Sequence, residues 1–319
     1  MADEITTTSH NDITNPTLAV PYIQRALSEK PGFWRFAKEW NLTGDFAAPA
    51  FVVPREVSFW GSPDDNGAGT DGEFDATQAT DLANTAVTTA GVTVTPGEYG
   101  VALEVTKNVE EDSLSAIDLY GLLEERMLHV ISLAMTYDFL ALFASLSNSV
   151  GVSGSNFTVA QAIAAQRNLR VRGTDADAVI YILENQQAAD IEDELTSTNA
   201  AAAVFAMASD RLINYAPTAD NGMGSGRQVM TFRGAPVFTS GQCATANTAA
   251  DVVGACFCPS TSYNDTSGAT TFHMGWKRLP MFATDQIVLG RSTQLVMSAR
   301  AGFGEGQDGS GSGIVTGIS

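Results

Sequence analysis

Side chains that could carry out catalysis are few in this chain and far apart in sequence. It has three histidines, His10, His129 and His273. His129 lies among apolar residues, which predicts a satisfied core or interface imidazole rather than a catalytic one. A Ser-His-Asp triad whose members meet only in the fold stays open, but no G-x-S-x-G motif supports one. The sequence therefore predicts no catalytic residues.

The cysteines raise the question of a metal site. Cys256 and Cys258 form a C-x-C pair, with Cys243 before it and His273 after it, and four such ligands could hold zinc. The spacing differs from the paired C-x-x-C of zinc sites. Thiols two residues apart on a strand share one face, so we favour small buried hydrophobic side chains over zinc ligands. The odd count and the lack of an export signal predict free thiols.

Two further patterns resemble ligand-binding motifs. Asp64, Asp65 and Asn66 open an acidic stretch, but Ala68 stands where a calcium loop needs an oxygen ligand, so only casual calcium binding stays open. The stretch GFGEGQDGSGSG, residues 302 to 313, has closely spaced glycines without opening a helix, which predicts a flexible turn rather than a dinucleotide site. We expect neither a metal nor a cofactor.

The charge balance limits the partners of the chain. Acidic residues number 36 and basic residues 17, for a formal net charge of −19, which disfavours tight binding to nucleic acid and to anionic lipid. The amino-terminal residues lack the cationic and apolar regions of an export signal. Glu124, Glu125, Arg126 and Asp138 interrupt the most apolar segment, so we expect no membrane span. Apolar residues make up 44%, enough for a packed core.

Residues 116 to 146, AIDLYGLLEERMLHVISLAMTYDFLALFASL, predict one long helix. Its apolar positions lie on more than one face, Ser113 or Ser115 could cap its start, and Gly151 follows its last apolar residue. Such a helix would be about 47 Å long at about 1.5 Å per residue. A compact globule of this length is only about 50 Å across. The helix would therefore span the whole molecule.

A long hairpin is predicted before that helix. FVVPREVSFW at 51–60 and VTVTPGEYGVALEVT at 92–106 alternate apolar and polar residues like two partner strands. The residues between them, 61–85, are rich in glycine and in acidic side chains. An isolated two-stranded hairpin is marginal in water, so another surface must receive this one.

The remaining pattern predicts an aromatic first segment and a mixed second region. PGFWRFAKEW, residues 31–40, has the spacing of a short amphipathic helix. Thr158 and Gln161 predict the capped start of another helix, which Gly173 ends. AVIYIL at 178–183 predicts a buried strand, ENQQAADIEDEL a helix, and RQVMTF with APVFTS a strand, a turn and a strand.

The order of these elements resembles the major capsid protein of tailed bacteriophages, with its Hong Kong 97-like α+β fold. The likeness covers nearly the whole chain and is carried by GVALEVTKNVEEDSLSAIDLY, RQVMTFRGAPVFTS and QIVLGRSTQLVMSAR. The resemblance implies four parts: an N-terminal arm at 1–50, an extended loop or β-ribbon at 51–100, a peripheral domain with the spine helix at 101–155 and 281–319, and an axial domain at 156–280.

The resemblance further implies a structural subunit that assembles with itself into hexamers and pentamers of an icosahedral shell around viral DNA. The implied partners are a separate scaffolding protein, a portal and a cement or decoration protein, with assembly in the host cytoplasm and no catalysis. Some relatives weld their shells through a lysine in the extended loop. This chain has no lysine between Lys38 and Lys107, so noncovalent contacts are expected instead.

Candidate subunit-interface residues follow from the parts that would reach a neighbouring copy. The arginines near 170 suit the end of a helix, and contact with acidic residues of a second copy is a further hypothesis. The candidates are Phe33, Trp34, Phe36, Trp40, Arg55, Asp64, Asp65, Asp71, Glu73, Arg167, Arg170 and Arg172.

Three other functions stay open from sequence. An encapsulin-like cellular compartment would share the fold and hold protein cargo instead of DNA. A hydrolase would need a buried cluster of groups with perturbed pKa values. A surface or adhesive protein is disfavoured because no export signal is present.

Overall fold

A computed structural model of the chain defines the fold over most of the second half of the sequence and over shorter stretches of the first. The residues that the structure describes are 4–5, 32–41, 50–58, 88–112, 119–171, 179–197, 227–233, 235–247, 250–260, 270–288, 290–306 and 308–317.

Helices and strands follow one another along these residues. The helices are α1 (Lys107–Asp112), α2 (Leu119–Ala141), α3 (Val159–Val171) and α4 (Asn185–Ser197). The strands are β1 (Glu4–Ile5), β2 (Lys38–Asn41), β3 (Phe51–Ser58), β4 (Thr88–Val94), β5 (Gly97–Thr106), β6 (Ser149–Val150), β7 (Ile180–Glu184), β8 (Arg227–Phe232), β9 (Ala235–Ser240), β10 (Ala244–Ala246), β11 (Asp251–Phe257), β12 (Phe272–Ile287), β13 (Ser292–Glu305) and β14 (Gly311–Gly317).

A five-stranded sheet has the order β1-β5-β13-β12-β2. Its central strands are antiparallel, whereas the short outer strands β1 and β2 run parallel to their neighbours. Leu295, Met297, Ala299 and Ala301 alternate along β13 and are all buried. This period of two places one face of the sheet against the core, where α2 packs.

A seven-stranded sheet has the order β6-β14-β11-β7-β9-β8, with β10 paired to β11. The predicted buried strand is confirmed as β7, which is central and pairs parallel with β9. The predicted strand, turn and strand are confirmed as β8 and β9, joined at Arg233 with a positive φ of 50°. Helices α3 and α4 are also confirmed, and they contact this sheet.

The start of α3 shows the capping arrangement that the sequence predicts. The Thr158 N–H donates to the Gln161 side chain at 3.0 Å, and the Gln161 N–H donates to Thr158 Oγ1 at 3.3 Å. These reciprocal bonds satisfy amide groups that have no partner inside the helix. Local sequence therefore sets this helix boundary.

Helix α2 ends earlier than the sequence predicts. It spans Leu119–Ala141 and continues as one 3-10 turn, Leu142–Ser145, so the α-helical part is about 35 Å long. The predicted cap residues Ser113 and Ser115 lie outside the described residues. Gly151, with φ of 103°, follows β6 rather than ending the helix.

The buried side of α2 changes gradually along the helix, as the distribution of its apolar residues predicts. Leu123, Met127, Ile131, Met135 and Phe139 are buried at intervals of four residues. Because a turn holds 3.6 residues, this stripe drifts by about 40° per step. The expected burial of more than one face is confirmed.

The segment Leu123–Ser145 is long and apolar enough to cross a membrane by length and composition alone. The expectation that charged residues exclude such a window was wrong. Within the fold, Phe139 and Leu140 of this helix are fully buried. The same composition serves a helix that lies in a protein core.

The glycine-rich stretch near the carboxyl end is more ordered than the predicted flexible turn. It contains the end of β13, a short 3-10 turn at Asp308–Ser310 and the start of β14. Strand β14 pairs antiparallel with β11 and parallel with β6. Packing explains the glycine at 311, because a Cβ there would lie 2.7 Å from Leu146 Cδ2.

Asp251 ties the loop after β6 to the start of β11. Its buried carboxylate accepts hydrogen bonds from the side chains of Ser153 and Asn247 and from the Gly154 N–H. These three hydrogen bonds hold the pKa of the Asp251 carboxyl below its ordinary value. The ionised form is therefore the one that the fold stabilises.

Acid should remove the contribution of Asp251. Because its folded-state pKa is lowered, the stabilisation is complete above the unfolded-state pKa of about 3.9 and is lost as the pH falls from there through the folded-state pKa. We expect Asp251→Asn to be less stable than the wild type at neutral pH and to lose less stability in acid. Urea unfolding of both chains across this pH range measures the difference. Asp285→Asn on exposed β12 is the control, and parallel acid losses in the wild type and Asp251→Asn would contradict the assignment.

Candidate assembly surfaces

The predicted ribbon is a separate two-stranded sheet. Strand β3 pairs antiparallel with β4, and Phe51 lies opposite Val94. The prediction that residues 92–106 form one partner strand was wrong, because β5 begins at Gly97 and pairs with β13 instead. Pro96, between the two strands, cannot donate a backbone hydrogen bond to continue a ladder. The chain therefore leaves the ribbon and enters the five-stranded sheet at this point.

The base of the ribbon rests on glycines of β12 and β13. A Cβ at Gly275 would lie 2.1 Å from Cε1 of Phe51, and one at Gly304 would lie 2.6 Å from Cγ2 of Val94. A Cβ at Gly302 would lie 2.8 Å from the backbone oxygen of Thr95. No side chain fits between the sheet and the ribbon base at these positions. This close contact sets where the ribbon leaves the subunit.

Gly275→Ala should move the ribbon base. The added methyl would overlap the Phe51 ring, and overpacking of this kind costs about 1–3 kcal/mol. The matched control is Gly100→Ala in β5, where the nearest atom to a Cβ is 3.9 Å away. Denaturant unfolding of the unassembled chains compares the two. Equal stabilities of the two variants would show that the ribbon base does not rest on Gly275.

The aromatic segment of the arm forms one 3-10 turn, Phe33–Phe36, followed by β2. The prediction of an amphipathic helix over residues 31–40 was therefore wrong, since β2 pairs with β12 from Lys38 to Asn41. Phe33 and Phe36 are buried in the core of their own chain, at 0% and 3% exposure. These two candidate interface side chains are thus already covered by their own subunit.

The two indoles of the arm hydrogen-bond to different elements. Trp34 Nε1 donates to Ser132 Oγ of α2 at 3.1 Å, and its ring packs edge-on to Trp276. Trp40 Nε1 donates to Nδ1 of His273 in β12 at 3.1 Å. Trp40 remains 37% exposed. The arm is therefore fixed to both the helix and the sheet, and Trp40 is the arm indole that a second copy could contact.

The other candidate interface residues are unevenly placed. Arg55 lies in β3 opposite Ala90, and Arg167 is exposed near the end of α3. The backbone of Arg170 belongs to the last turn of α3. The side chains of Arg55 and Arg170 lie outside the described residues, as do Asp64, Asp65, Asp71, Glu73 and Arg172.

The distal half of β12 is a surface that the sequence reasoning missed. Strand β2 covers β12 only at His273–Trp276. Leu279 and Met281 beyond it are 49% and 60% exposed. Pro280 interrupts the stretch FHMGWKRLPMFATDQI, and a proline inside a strand pattern is typical of an edge strand. That proline was the available signal.

An exposed apolar stripe lies on the second half of α2. Val130, Ala134, Tyr137 and Ala141 are all exposed and are spaced by four, three and four residues. This spacing places them on one helix face. Tyr137 is 59% exposed, so much of this face is open in the single chain.

The cysteines considered as possible metal ligands are part of the packed core. Cys243, Cys256 and Cys258 form no disulfide and are buried, which confirms the prediction of small hydrophobic side chains. Burial raises the pKa of the Cys256 thiol, so it stays protonated. No metal-binding group of three or more His, Cys, Asp or Glu side chains occurs within the described ranges.

The remaining perturbed group is also part of the fold. Burial, followed by the hydrogen bond and charge of Asp138, raises the pKa of Tyr99. Tyr99 Oη donates to Asp138 Oδ2 at 2.6 Å, which joins β5 to α2. His129 is half-buried on α2, and His273 accepts the Trp40 bond.

Solved structures provide the relatives of this fold, since no family model and no curated protein matches the chain. A capsid protein of the cyanophage P-SCSP1u is 10% identical, with a TM-score of 0.62 over 93% of this chain and 91% of that chain. A head protein of Helicobacter pylori bacteriophage KHP40 is 13% identical, with a TM-score of 0.61 over 99% of both chains. A capsid protein of a native GTA particle is 12% identical, with a TM-score of 0.63 over 98% of this chain and 99% of that chain.

These alignments cover nearly the whole chain, including both sheets and α2. Identities of this size establish a shared fold and nothing finer. The chain therefore has the Hong Kong 97-like α+β fold of the major capsid proteins of tailed bacteriophages.

Proposed function

We propose that this chain is the major structural subunit of an icosahedral bacteriophage shell. The observation that carries the proposal is the end-to-end likeness to proteins solved within capsids. The subunit forms hexamers and pentamers by contact with its own copies and has no catalytic role. In this proposal it encloses viral DNA, resides in the virion and assembles in the host cytoplasm.

The physical support is that a single copy leaves much surface uncovered. The ribbon β3–β4 pairs with neither larger sheet in the described residues. A two-stranded sheet alone is marginal in water. The apolar residues of β12 and α2 that a single chain exposes to water are also unfavourable, and burying them would stabilise an assembly. Tiling by further copies would cover these surfaces.

The two sheets suggest how the parts divide. We assign the five-stranded sheet and α2 to the peripheral domain and the seven-stranded sheet with α3 and α4 to the axial domain. Strand β14 then belongs to the axial domain and the first residues of β12 to the peripheral domain. We keep 1–50 for the arm, whose strands β1 and β2 add to the five-stranded sheet, and we shorten the ribbon to 51–96, because β5 begins at Gly97.

The candidate interface residues enter this proposal as contacts between copies. Trp34, Trp40 and Arg55 belong to the arm and the ribbon, and Asp64, Asp65, Asp71 and Glu73 would give the ribbon a negative charge. Arg167, Arg170 and Arg172 would face acidic residues of a neighbouring copy. Lysine is absent from 39–106, so we expect these contacts to be noncovalent. A scaffolding protein, a portal and a cement protein are the further partners in this proposal.

The acidic composition of the subunit is compatible with a shell that encloses DNA without binding it tightly. With a net charge of −19, the subunit would repel phosphate rather than bind it. A cellular compartment of the encapsulin kind would have the same fold with protein cargo. Nuclease digestion of purified particles separates the two, because only a phage shell would protect DNA inside it.

Shortening the ribbon tests the shell proposal directly. In the ribbon-shortened variant, an Asn-Gly turn replaces residues 54–91 and joins the paired residues Val53 and Val92. Phe51 and Val94 stay, so the ribbon base still covers the glycines. We expect a folded chain with an unchanged unfolding midpoint that no longer forms particles. A control variant carries Asp64→Asn, Asp65→Asn, Asp71→Asn and Glu73→Gln, and it should assemble with weaker salt dependence.

Sedimentation and electron microscopy of the purified chains, mixed with the candidate scaffolding protein, give the readout. Shells formed by the wild type and not by the ribbon-shortened variant support the proposal. Shells of normal size formed by the ribbon-shortened variant would refute the role of the ribbon. A wild-type chain that forms no particle under any of these conditions would refute the shell function.

A further inference from the structure

A short segment of the arm, residues 32–41, contacts the seven-stranded sheet at one end. We call this segment the strap. The rings of Phe33 and Phe36 lie 6.3 and 5.2 Å from the ring of Phe238 in β9, measured between centroids. The Phe36 oxygen also accepts the Ser260 N–H, beyond the end of β11, at 2.7 Å. Because both phenylalanines are buried, this end of the strap is part of the core.

The other end of the strap belongs to the five-stranded sheet. Strand β2 pairs in parallel with β12. Trp40 Nε1 donates to His273 Nδ1 at 3.1 Å, and the ring of Trp34 packs edge-on to that of Trp276 at 5.7 Å. One continuous piece of chain is therefore bonded to a strand of each sheet.

The strap is also hydrogen-bonded to α2. The Gly32 N–H donates to Thr136 Oγ1 at 3.0 Å, and Trp34 Nε1 donates to Ser132 Oγ at 3.1 Å. Ser132 and Thr136 are four residues apart, so they lie on one face of the helix. The strap thus contacts all three of the elements that meet in the main core.

The two sheets are joined at a second place, where their strands continue into one another. The Gly306 N–H donates to Thr271 O at 2.7 Å, the Thr271 N–H to Cys258 O at 3.2 Å, and the Cys258 N–H to Ser310 O at 3.1 Å. This junction lies at the ends of β11 and β14, whereas Phe238 lies on β9, with β7 between β11 and β9. Since neighbouring strands are about 4.8 Å apart, the strap contact on β9 is about 10 Å from β11.

Two attachments at different places restrict motion more than one does. A single junction leaves one sheet free to turn relative to the other, as at a hinge. Helix α2 contacts the sheets mainly through apolar side chains, and packed surfaces of this kind permit small sliding movements. The strap adds backbone hydrogen bonds to β12 and to Ser260 together with the aromatic contact on Phe238. It is therefore placed to oppose rotation about the junction.

We propose that the strap sets the angle between the two sheets, and that its detachment from Phe238 lets the sheets turn relative to each other. The strap is then a conformational device inside one subunit, in which the position of the arm determines the shape of the rest of the chain. This inference concerns the single chain, so it goes beyond the proposed shell function and does not depend on it.

Spin labels on the two sheets test this inference. Ala102→Cys in β5 and Thr245→Cys in β10 provide one exposed labelling position on each sheet, and the native cysteines are buried. Double electron–electron resonance measures the distance between the labels in the dilute, unassembled chain. The labelled chain with an intact strap should give one narrow distance distribution. Phe36→Ala should broaden it about twofold or more, because the hinge motion is no longer blocked.

A second variant acts on the strap contact from the other side. Phe238→Leu keeps an apolar side chain in the core and removes the ring that the strap contacts. Phe157→Leu is the matched control, because Phe157 is buried between the same sheet and α3, in a separate part of the core. Both variants should remain folded by circular dichroism, and only Phe238→Leu should broaden the distribution.

The widths of the distributions decide the outcome. Equal widths for Phe238→Leu and Phe157→Leu would overturn the inference, whatever the stability of Phe36→Ala. A distribution that is already as broad with the strap intact would overturn it as well. The measurement uses unassembled chains, so neither result bears on whether the chain forms shells.

Discussion

Phe139→Ala should lower the free energy of unfolding by about 3–5 kcal/mol, the usual cost of removing a buried phenylalanine side chain. Phe139 is fully buried on α2. Its ring lies 5.3 Å from that of Phe272 in β12 and 6.1 Å from that of Phe257 in β11. Because these strands belong to different sheets, the one ring joins both to the helix. Its loss opens a cavity where the three elements meet.

Tyr137→Ala is the matched control for Phe139→Ala. It removes an aromatic ring from the same helix at a position that is 59% exposed. We expect a change within about 0.5 kcal/mol. Both variants are compared with the wild type by urea unfolding of the dilute chain, with fluorescence and circular dichroism as separate probes. A loss below about 1 kcal/mol for Phe139→Ala would mean that the two sheets do not share this core.

Gln187→Met should destabilise the chain by about 2–5 kcal/mol, because it leaves several buried polar groups without partners. Gln187 is fully buried near the start of α4. Its Nε2 donates to Ile314 O at 3.1 Å and to Thr316 Oγ1 at 2.8 Å in β14. Its Oε1 accepts the Glu184 N–H at 3.1 Å. Methionine has a similar shape and replaces none of these bonds.

Two comparisons sharpen the test of Gln187. Gln286→Met on exposed β12 makes the same chemical change outside the core and should be close to neutral. Gln187→Glu keeps an acceptor for the Glu184 N–H but places a second carboxylate oxygen opposite the backbone oxygens of Ile314 and Val252, which can only accept. It should therefore lower the stability at least as much as Gln187→Met. Chemical denaturation of the dilute chains gives the three values. A Gln187→Met variant as stable as Gln286→Met would contradict the hydrogen-bonding role assigned to this side chain.

Local patterns predicted those parts of the fold that neighbours in sequence determine. The Thr158–Gln161 capping arrangement, the buried strand β7 and the β8–β9 hairpin all follow from a few adjacent residues. The division between β4 and β5 was missed, although Pro96 and Gly97 are a turn signal. Apolar and polar residues alternate on both sides of that turn, so the sequence pattern does not show that β4 pairs with β3 whereas β5 pairs with β13.

Long-range pairing decided what the sequence did not predict. Residues 38–41 have helical spacing but extend as β2, because β12 offers them a free edge more than two hundred residues later in the chain. The same holds for the candidate interface residues. Phe33 and Phe36 look like exposed anchors in sequence, yet both are buried and both rings pack against Phe238 of β9. Pro280 indicates an edge strand, but the exposed distal half of β12 could be located only once the strand order was known.

The central claim is that copies of this chain complete one another. Amide hydrogen exchange along β3 and β4, measured in the dilute chain and again in sedimented particles, tests it most directly. We predict rapid exchange at 54–58 and 88–91 in the dilute chain and strong protection once particles have formed. Full protection of these amides in a dilute, monomeric chain would contradict the claim, because the ribbon would then need no second copy.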